Sequence, residues 1–200
     1  AKQAGERAVR AVSNDYLARI AADIRPARPL KVVVDGGHGV AGELAIELLQ
    51  RLGCEVIGIH TAPDGRFPVR PPDPSQPEHL VSLIEHVLGA DADLGVAFDS
   101  DGDRLAVIDD KGEMVWADRL LMLFAGQILP QHPGRDVVYD VKSSRALDPL
   151  VRNHGGRPVM WSSGHTRIQQ KMTENRAILG GEFSGHLFFQ DRWIGVDDGI

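Results

Sequence analysis

The sequence has a single cysteine and no long run of apolar residues, and these two scarcities limit the kinds of protein it can be. Cys54 has no partner in the chain for a disulfide, which suits a reducing compartment. The longest apolar run, 120–125, is far too short to span a bilayer, and the first ten residues are polar, without the apolar segment of a secretory signal. We therefore expect a soluble, cytoplasmic protein.

Positively charged side chains are fewer than negatively charged ones, 22 against 28, which gives the chain a formal net charge of -6. This balance argues against nucleic acid or an anionic membrane as the main partner. It does not exclude an anionic substrate, since a few arginines or a metal ion can reverse the field locally. A composition with 42% hydrophobic and 25% charged residues is typical of a globular protein, and 200 residues suffice for one large domain or two small ones.

Apolar periodicity predicts two successive series of strands and helices, separated by a turn at 109–112. The first series comprises helices 8–24, 40–52 and 77–88 and strands 30–34, 54–59, 93–98 and 105–108, with an irregular proline-rich stretch at 63–77. The second comprises helices 118–129, 145–153 and 165–174 and strands 114–116, 136–141, 158–161, 177–180 and 187–189. This order predicts two consecutive α/β domains with mixed, mostly parallel sheets.

The predicted boundaries divide the chain into three parts. Residues 1–11 are expected to be a linker or helix start of a sequence that is cut at both ends. Residues 12–112 form a domain with an acidic loop, and residues 113–200 form a second domain that is truncated at its C-terminal end.

Three carboxylates, Asp99, Asp101 and Asp103, alternate directly after a predicted buried strand. Like charges about 4 Å apart repel by roughly 4 kcal/mol at an effective dielectric constant near 20, and a hard cation such as magnesium or calcium removes that penalty. A solvated acidic turn is the alternative, but three aspartates followed by Arg104 at a strand end favour a metal site. An EF-hand is a poor match, because its glycine and glutamate positions hold Arg104 and Asp110.

A second glycine-rich pattern, Gly37-His-Gly-Val-Ala-Gly42, fits the spacing of dinucleotide-binding loops. The acidic residue that should end the next strand is absent, so a tight strand-to-helix turn is the better interpretation.

Polar side chains also alternate in Gly181-Glu-Phe-Ser-Gly-His186. In an extended loop Glu182, Ser184 and His186 would face the same way and could bind a row of sugar hydroxyls. A polar β-turn is an equally good interpretation of composition alone. His165, at a predicted helix start, and Lys142, just past a strand, are on their own ordinary surface residues.

Taken in order, five segments resemble the α-D-phosphohexomutase superfamily, closest to bacterial phosphomannomutase/phosphoglucomutase. They are Val32-Val-Val-Asp-Gly-Gly-His-Gly39, Ala97-Phe-Asp-Ser-Asp-Gly-Asp-Arg104, Tyr139-Asp-Val-Lys142, Gly164-His165 and Gly180-Gly-Glu-Phe-Ser-Gly-His186. The resemblance covers nearly the whole chain from about residue 11, and it implies the second and most of the third of four domains.

The resemblance also implies roles for individual residues. Asp99, Asp101 and Asp103 would bind magnesium, and Arg104 would lie beside the transferring phosphoryl group. Glu182 and Ser184 would hold sugar hydroxyls, and Lys142, His165 and His186 would line the same cleft, with Arg104, His165 and His186 as the catalytic residues.

The implied reaction interconverts hexose 1- and 6-phosphates of mannose or glucose through a phosphoserine and a 1,6-bisphosphosugar. The phosphoserine loop and the phosphate-binding loop of the first and fourth domains do not occur in this sequence. The partners would be hexose phosphates and those two domains, and the 200 residues alone should be inactive. The metal and hydroxyl loops are expected to be independent sites on one ligand.

Three residues depart from the family pattern. Ser100 replaces a glycine and would strain the loop if its φ had to be positive. His38 stands where asparagine is common, and Ser162 stands where relatives often carry a lysine.

Two alternatives remain open. A haloacid-dehalogenase-like phosphatase or phosphotransferase also places D-x-D after a strand, but its following threonine is absent and the 181–186 segment would have no role. The other alternative is a module that binds metal or sugar phosphate without turnover.

Overall fold

The computed structural model describes residue 5 and residues 7–200, which form two sheets flanked by helices. The first half contains α1 (Ser13–Ala21), β1 (Lys31–Asp35), α2 (Gly42–Arg51), β2 (Glu55–Ile59), α3 (Val81–Ala90), β3 (Leu94–Phe98), β4 (Leu105–Asp109) and β5 (Met114–Val115). The second half contains α4 (Ala117–Ile128), β6 (Asp136–Asp140), α5 (Leu147–Asn153), β7 (Arg157–Trp161), α6 (His165–Asn175), β8 (Leu179–Gly181) and β9 (Leu187–Phe189). Short 3₁₀ turns lie at Pro77–His79 and Leu129–Gln131.

The two sheets repeat one topology, with strand orders β2-β1-β3-β4-β5 and β7-β6-β8-β9. In each, a central strand pairs in parallel with both neighbours, and antiparallel strands extend one edge. The predicted fold class, two α/β domains with mixed and mostly parallel sheets, is confirmed. In the first sheet β2 lies on one side of β1 and β3 lies on the other, and in the second sheet β7 and β8 flank β6 in the same way. The strand order across each sheet therefore changes direction between β1 and β3 and between β6 and β8. Ligands bind at the carboxyl ends of strands at such switch points.

Runs of β-branched residues form the central strands because both faces of each sheet are covered by helices. Along β1, Val33 packs with Leu83 and Val87 of α3, whereas its neighbours Val32 and Val34 pack on the α2 side. The same alternation occurs in β6, where Val138 packs against α6. Side chains that alternate between two apolar faces explain a continuous hydrophobic strand without polar positions.

Three details of the predicted elements are corrected. Helix α1 begins at Ser13 rather than at 8, because no face of residues 8–12 is buried, and Val9 is 88% exposed. The helix predicted from 77 is a 3₁₀ turn followed by α3, with a break at Leu80. Residues 1–4 and 6 of the predicted 1–11 linker lie outside the described residues.

The third correction concerns β5, which the sequence placed at the start of the second series. This strand pairs with β4 and so belongs to the first sheet, since Val107 and Ile108 are in register with Val115 and Met114. The predicted domain boundary after 112 stays a prediction. The hydrogen bonds of the first sheet continue beyond that position, since β5 lies at 114–115.

Among the described residues, no helix has both the length and the apolar character needed to cross a membrane.

Candidate active site

The acidic loop after β3 is organised by Asp99, which is only 1% exposed. Its Oδ1 accepts hydrogen bonds from the backbone N–H groups of Gly102 (3.0 Å) and Arg104 (3.2 Å), and its Oδ2 accepts one from Arg104 Nε at 2.7 Å. Asp101 is exposed and Asp103 is half-buried, yet one oxygen from each of the three carboxylates lies within 4.8 Å of the others. The three predicted metal ligands are therefore brought together.

The protonation of this loop reflects the crowding of its carboxylates. Burial raises the pKa of Asp103 to about 6, and a hydrogen bond with Asp99 and repulsion by its charge act in the same direction. Burial opposes the shift of Asp99, but the hydrogen bonds it accepts, above all from Arg104, lower its pKa. Above about pH 6 both carboxylates are therefore charged, although they lie close together. Oxygen donors in this state fit a divalent hard cation.

The strain expected at Ser100 is absent, because its φ is not positive. The left-handed position of the loop is Gly102, with φ 82°, and that glycine is retained. Serine at position 100 therefore adds no left-handed strain to the loop.

The Gly37–Gly42 pattern forms a tight turn, as the sequence favoured. Gly39 N–H donates to Gly36 O at 2.8 Å, and the next residue, Val40, donates to Ser100 O at 3.1 Å. This loop supports the acidic loop from the neighbouring strand end.

The segment from Glu182 to His186 is a turn and not the extended loop in which alternate side chains would align. Gly185 N–H donates to Glu182 O at 3.1 Å, Glu182 N–H donates to His186 O at 3.0 Å, and Gly185 has φ 106°. The side chains of Glu182, Ser184 and His186 nevertheless lie together. His186 Nδ1 is 3.0 Å from Ser184 Oγ and 3.3 Å from Glu182 Oε2.

Glu182 is 4% exposed and is held by the protein itself. Its Oε1 accepts a hydrogen bond from Gly164 N–H at 2.5 Å, next to the start of α6. Burial opposes ionisation, but the bonds from His186 and Gly164 and the positive charge of Lys142 lower the pKa of Glu182. The carboxylate is therefore ionised, and it links the 182–186 turn to the start of α6.

His186 sits among three acids. Burial opposes the protonated form, but its bond with Glu182 and the charges of Asp103, Glu182 and Asp197 raise the pKa of His186 above its ordinary value. His165 stacks on His186 with ring centroids 5.0 Å apart, and its Nδ1 lies 3.0 Å from Asp197 Oδ2. The sequence reasoning assigned no role to Asp197, since nothing but residue type marked it among the chain's other acids.

Lys142 follows β6, and the 182–186 turn follows β8. Because β6 and β8 are parallel, both lie at the carboxyl ends of strands in the second sheet. Its Nζ is 3.7 Å from Asp140 Oδ2, and its side chain is 53% exposed. Asp140 is buried and also accepts hydrogen bonds from Ser143 and Ser163. The ammonium group of Lys142 thus lies close to a buried carboxylate, while about half of its side chain is exposed to solvent.

The two loops meet where the two sheets join. Leu105 N–H donates to Gly185 O at 3.2 Å, and Arg104 forms a backbone bridge with His186. His186 Nε2 lies 3.4 Å from Asp103 Oδ2. The premise that the metal and hydroxyl loops have no shared partner is therefore wrong, because His186 contacts both Asp103 and Glu182.

Comparison with known proteins identifies both halves of the chain. The family model described as phosphoglucomutase/phosphomannomutase, alpha/beta/alpha domain II, matches residues 14–112, and the corresponding domain III model matches residues 116–200.

Relatives of known structure or name agree. A phosphomannomutase/phosphoglucomutase of Pseudomonas aeruginosa is 51% identical over 185 residues, which are 92% of this chain and 40% of the relative. A phosphoglucomutase of Neisseria meningitidis is 43% identical over 189 residues, which are 94% of this chain and 41% of the relative. The crystal structure of a phosphoglucomutase/phosphomannomutase family protein from Burkholderia thailandensis matches with a TM-score of 0.91 at 49% identity, covering 94% of this chain and 41% of that one.

The chain therefore spans about 40% of the length of the curated relatives it matches. The matched family is not that of the haloacid dehalogenases. The domain II match includes the acidic loop, and the domain III match includes the 182–186 turn. The chain belongs to the phosphoglucomutase/phosphomannomutase family and contains its domains II and III.

Proposed function

We propose that the full-length protein carrying this chain is a phosphohexomutase that interconverts the 1- and 6-phosphates of mannose, glucose or both. The observation that carries the proposal is the contact between the acidic loop and the 182–186 turn, in which His186 Nε2 lies 3.4 Å from Asp103 Oδ2. A group suited to a metal and phosphate thereby lies beside groups suited to sugar hydroxyls. The names of the relatives at 43–51% identity support the same reaction.

Asp99, Asp101 and Asp103 would hold Mg²⁺, since all their donors are oxygens and their charges are under-compensated. A bound magnesium ion would supply positive charge to a transferring phosphoryl group, the main requirement in such reactions.

Other residues of this chain would bind and orient the sugar phosphate. Arg104, held by Asp99, would face the phosphoryl group, and the exposed ammonium group of Lys142 would reach a phosphate or hydroxyl. Glu182 and Ser184 would accept from and donate to sugar hydroxyls. His186, whose pKa is raised by the surrounding acids, would hold a proton at Nε2 next to the reacting oxygen, with His165 stacked on it.

The phosphoryl group would come from a phosphoserine in the first domain, outside this chain. A 1,6-bisphosphosugar would form and turn round, and the serine would recover the other phosphate. The first and fourth domains would thus be the partners of this chain, together with hexose phosphates and the bisphosphate. Without the serine, the 200 residues should bind ligands but not turn them over.

The test is a mutase assay of the full-length protein on glucose and mannose phosphates in both directions with Mg²⁺. Asp101→Asn removes an exposed ligand and should lower kcat by about tenfold or more without changing the unfolding temperature. Glu182→Gln keeps an acceptor for Gly164 N–H but loses the charge, and should slow both directions because the sugar is held in both orientations.

Asp110→Asn, at an exposed acid in the turn after β4, is the matched control and should leave rates unchanged. A near-normal rate for Asp101→Asn would remove the loop from the metal site. Binding of sugar phosphate without turnover by the full-length protein would instead support the non-catalytic module.

A further inference from the structure

Residues 70–73, Arg-Pro-Pro-Asp, lie in the proline-rich stretch and contact the acidic loop on both of its sides. Arg70 is 6% exposed, so its guanidinium group is stable there only if it is paired and hydrogen-bonded. It donates from Nε to Asp35 Oδ2 at 2.9 Å, from Nη2 to Phe98 O at 2.9 Å, and from Nη1 to Pro71 O at 3.1 Å.

Two of the three acceptors of Arg70, Asp35 and Phe98, lie at the ends of the two strands that flank the switch point. Phe98 ends β3, and its carbonyl group immediately precedes Asp99. Asp35 ends β1, is fully buried, and also accepts from Gly37 N–H at 2.8 Å. Gly37 leaves the room for this contact, because a Cβ there would lie 2.5 Å from Arg70 Nη2. Arg70 therefore ties the entry of the acidic loop to the neighbouring strand.

Asp73 acts at the other side of the loop. Its Oδ1 accepts from Arg104 Nη1 at 3.1 Å, while Arg104 Nε bonds Asp99 Oδ2 at 2.7 Å. Asp73 is itself oriented by Ser75, whose hydroxyl group donates to the same oxygen at 2.7 Å. The guanidinium group of Arg104 is thus held between one residue of the acidic loop and one of the proline-rich stretch.

The two prolines between these side chains make the connection stiff. Pro71 and Pro72 have fixed φ angles and offer only carbonyl groups. One of these accepts from Arg70, and the other lies 3.5 Å from Arg104 Nη2. A stiff segment loses little conformational entropy when it orders, so it can hold a loop geometry at low cost.

We propose that Arg70 and Asp73 are positioning residues for the metal loop. Arg70 fixes the backbone through which Asp99 enters the site, and Asp73 fixes the orientation of Arg104. Neither touches substrate. The effect on catalysis rests on the proposed function, whereas the effect on metal binding does not.

The experiment uses the full-length protein with Arg70→Lys, Asp73→Asn and the control Arg66→Gln. Arg66 lies in the same proline-rich stretch and its side chain is 86% exposed, with its hydrogen bonds going only to Asp64 among the described residues. Three properties are measured: Mn²⁺ affinity by electron paramagnetic resonance, kcat and KM for a hexose 1-phosphate, and the unfolding temperature.

Lysine at 70 keeps the charge but cannot bond Asp35 and Phe98 O together, so Mn²⁺ affinity should fall by about 10–100-fold. Asp73→Asn should lower kcat by about tenfold or more with a smaller change in KM, because Arg104 loses its orientation and not its charge. Arg66→Gln should match the wild type in all three properties.

A purely structural role predicts a different result. Lower unfolding temperatures with unchanged Mn²⁺ affinity and unchanged kcat in both variants would overturn the proposal. If Arg70→Lys does not fold, Asp73→Asn decides alone, because Asp73 is partly exposed and its loss leaves the core intact. If the wild type shows no mutase activity, the proposed function fails, and the Mn²⁺ affinities still decide the role of Arg70.

Discussion

At the scale of single residues, the acidic loop is held in place by its own chain. Asp99 accepts three hydrogen bonds from the loop and from Arg104, so its carboxylate is oriented without a cation. Among the described residues Asp103 has no comparable set of donors, and burial together with Asp99 raises its pKa to about 6. The loop is therefore ordered but electrostatically unfavourable at neutral pH, as expected of a site built for a positive ligand.

This imbalance makes a prediction about stability in the absence of metal. The folded pKa of Asp103 lies above the ordinary value of 3.8, so the folded state binds more protons than the unfolded state between about pH 4 and 6. Its contribution to stability is therefore lost as pH rises through that window. Asp103→Asn removes the penalty and should be more stable than the wild type at pH 7 with EDTA, by a margin that shrinks towards pH 4.

Urea unfolding at pH 4.5 and 7, with EDTA and then with Mg²⁺, measures this margin. With Mg²⁺ the wild type should become more stable than Asp103→Asn, because only the wild type retains the third carboxylate that binds the ion. Asp110→Asn is the control for removing a nearby exposed acid. A margin that does not depend on pH, or a variant less stable at pH 7 with EDTA, would contradict the electrostatic interpretation.

Single residues also show what sequence reasoning could and could not find. Asp99, Asp101 and Asp103 were identifiable because three acids follow a buried strand. Arg70, Asp73 and Asp197 were not, because the partners that place them at the site, Phe98, Arg104 and His165, lie 28, 31 and 32 residues away in the sequence. No local pattern marks such a long-range contact. His38 adopts φ 57°, a left-handed conformation that histidine and asparagine adopt more often than most other residues.

At the scale of elements, strands and helices were predictable where both their period and their ends were marked. Strands β1 and β6 contain consecutive valines, and the helices that pack on them show apolar stripes. The positions of these strands and helices could therefore be predicted from the residues that must be buried. Strand β5 was found but assigned to the wrong sheet, because a two-residue strand carries no information about its partner. The sequence left the conformation of 182–186 open between a turn and an extended loop, since Gly185 allows both, and the structure shows the turn.

The C-terminal end of α6 offers a stability test at this scale. Arg176 caps the helix in a left-handed conformation, with φ 52° and ψ 42°, and its side chain is exposed. Glycine adopts this conformation without the Cβ clash, so Arg176→Gly should stabilise the protein by about 0.5–1 kcal/mol. Gln170→Gly, at an exposed interior position of α6, should instead destabilise it by about 1 kcal/mol. Thermal unfolding of the two variants compares them, and equal destabilisation by both would contradict the capping argument.

At the scale of the whole molecule, the two sheets present corresponding switch points to one junction. The acidic loop follows β3 in the first sheet, and the 182–186 turn follows β8 in the second. The backbone bond from Leu105 to Gly185 and the contact between His186 and Asp103 connect them. A ligand at this junction would contact both domains, so a change in one loop is expected to affect binding at the other.

The central claim is that this junction handles a phosphoryl group carried by a serine elsewhere in the full-length protein. The most direct measurement is to incubate that protein with ³²P-labelled glucose 1,6-bisphosphate and Mg²⁺, and to map the labelled residue. We predict label on a serine outside residues 1–200 and its transfer to added hexose phosphate. A phosphoaspartate at Asp99, or label released only as inorganic phosphate, would contradict the account.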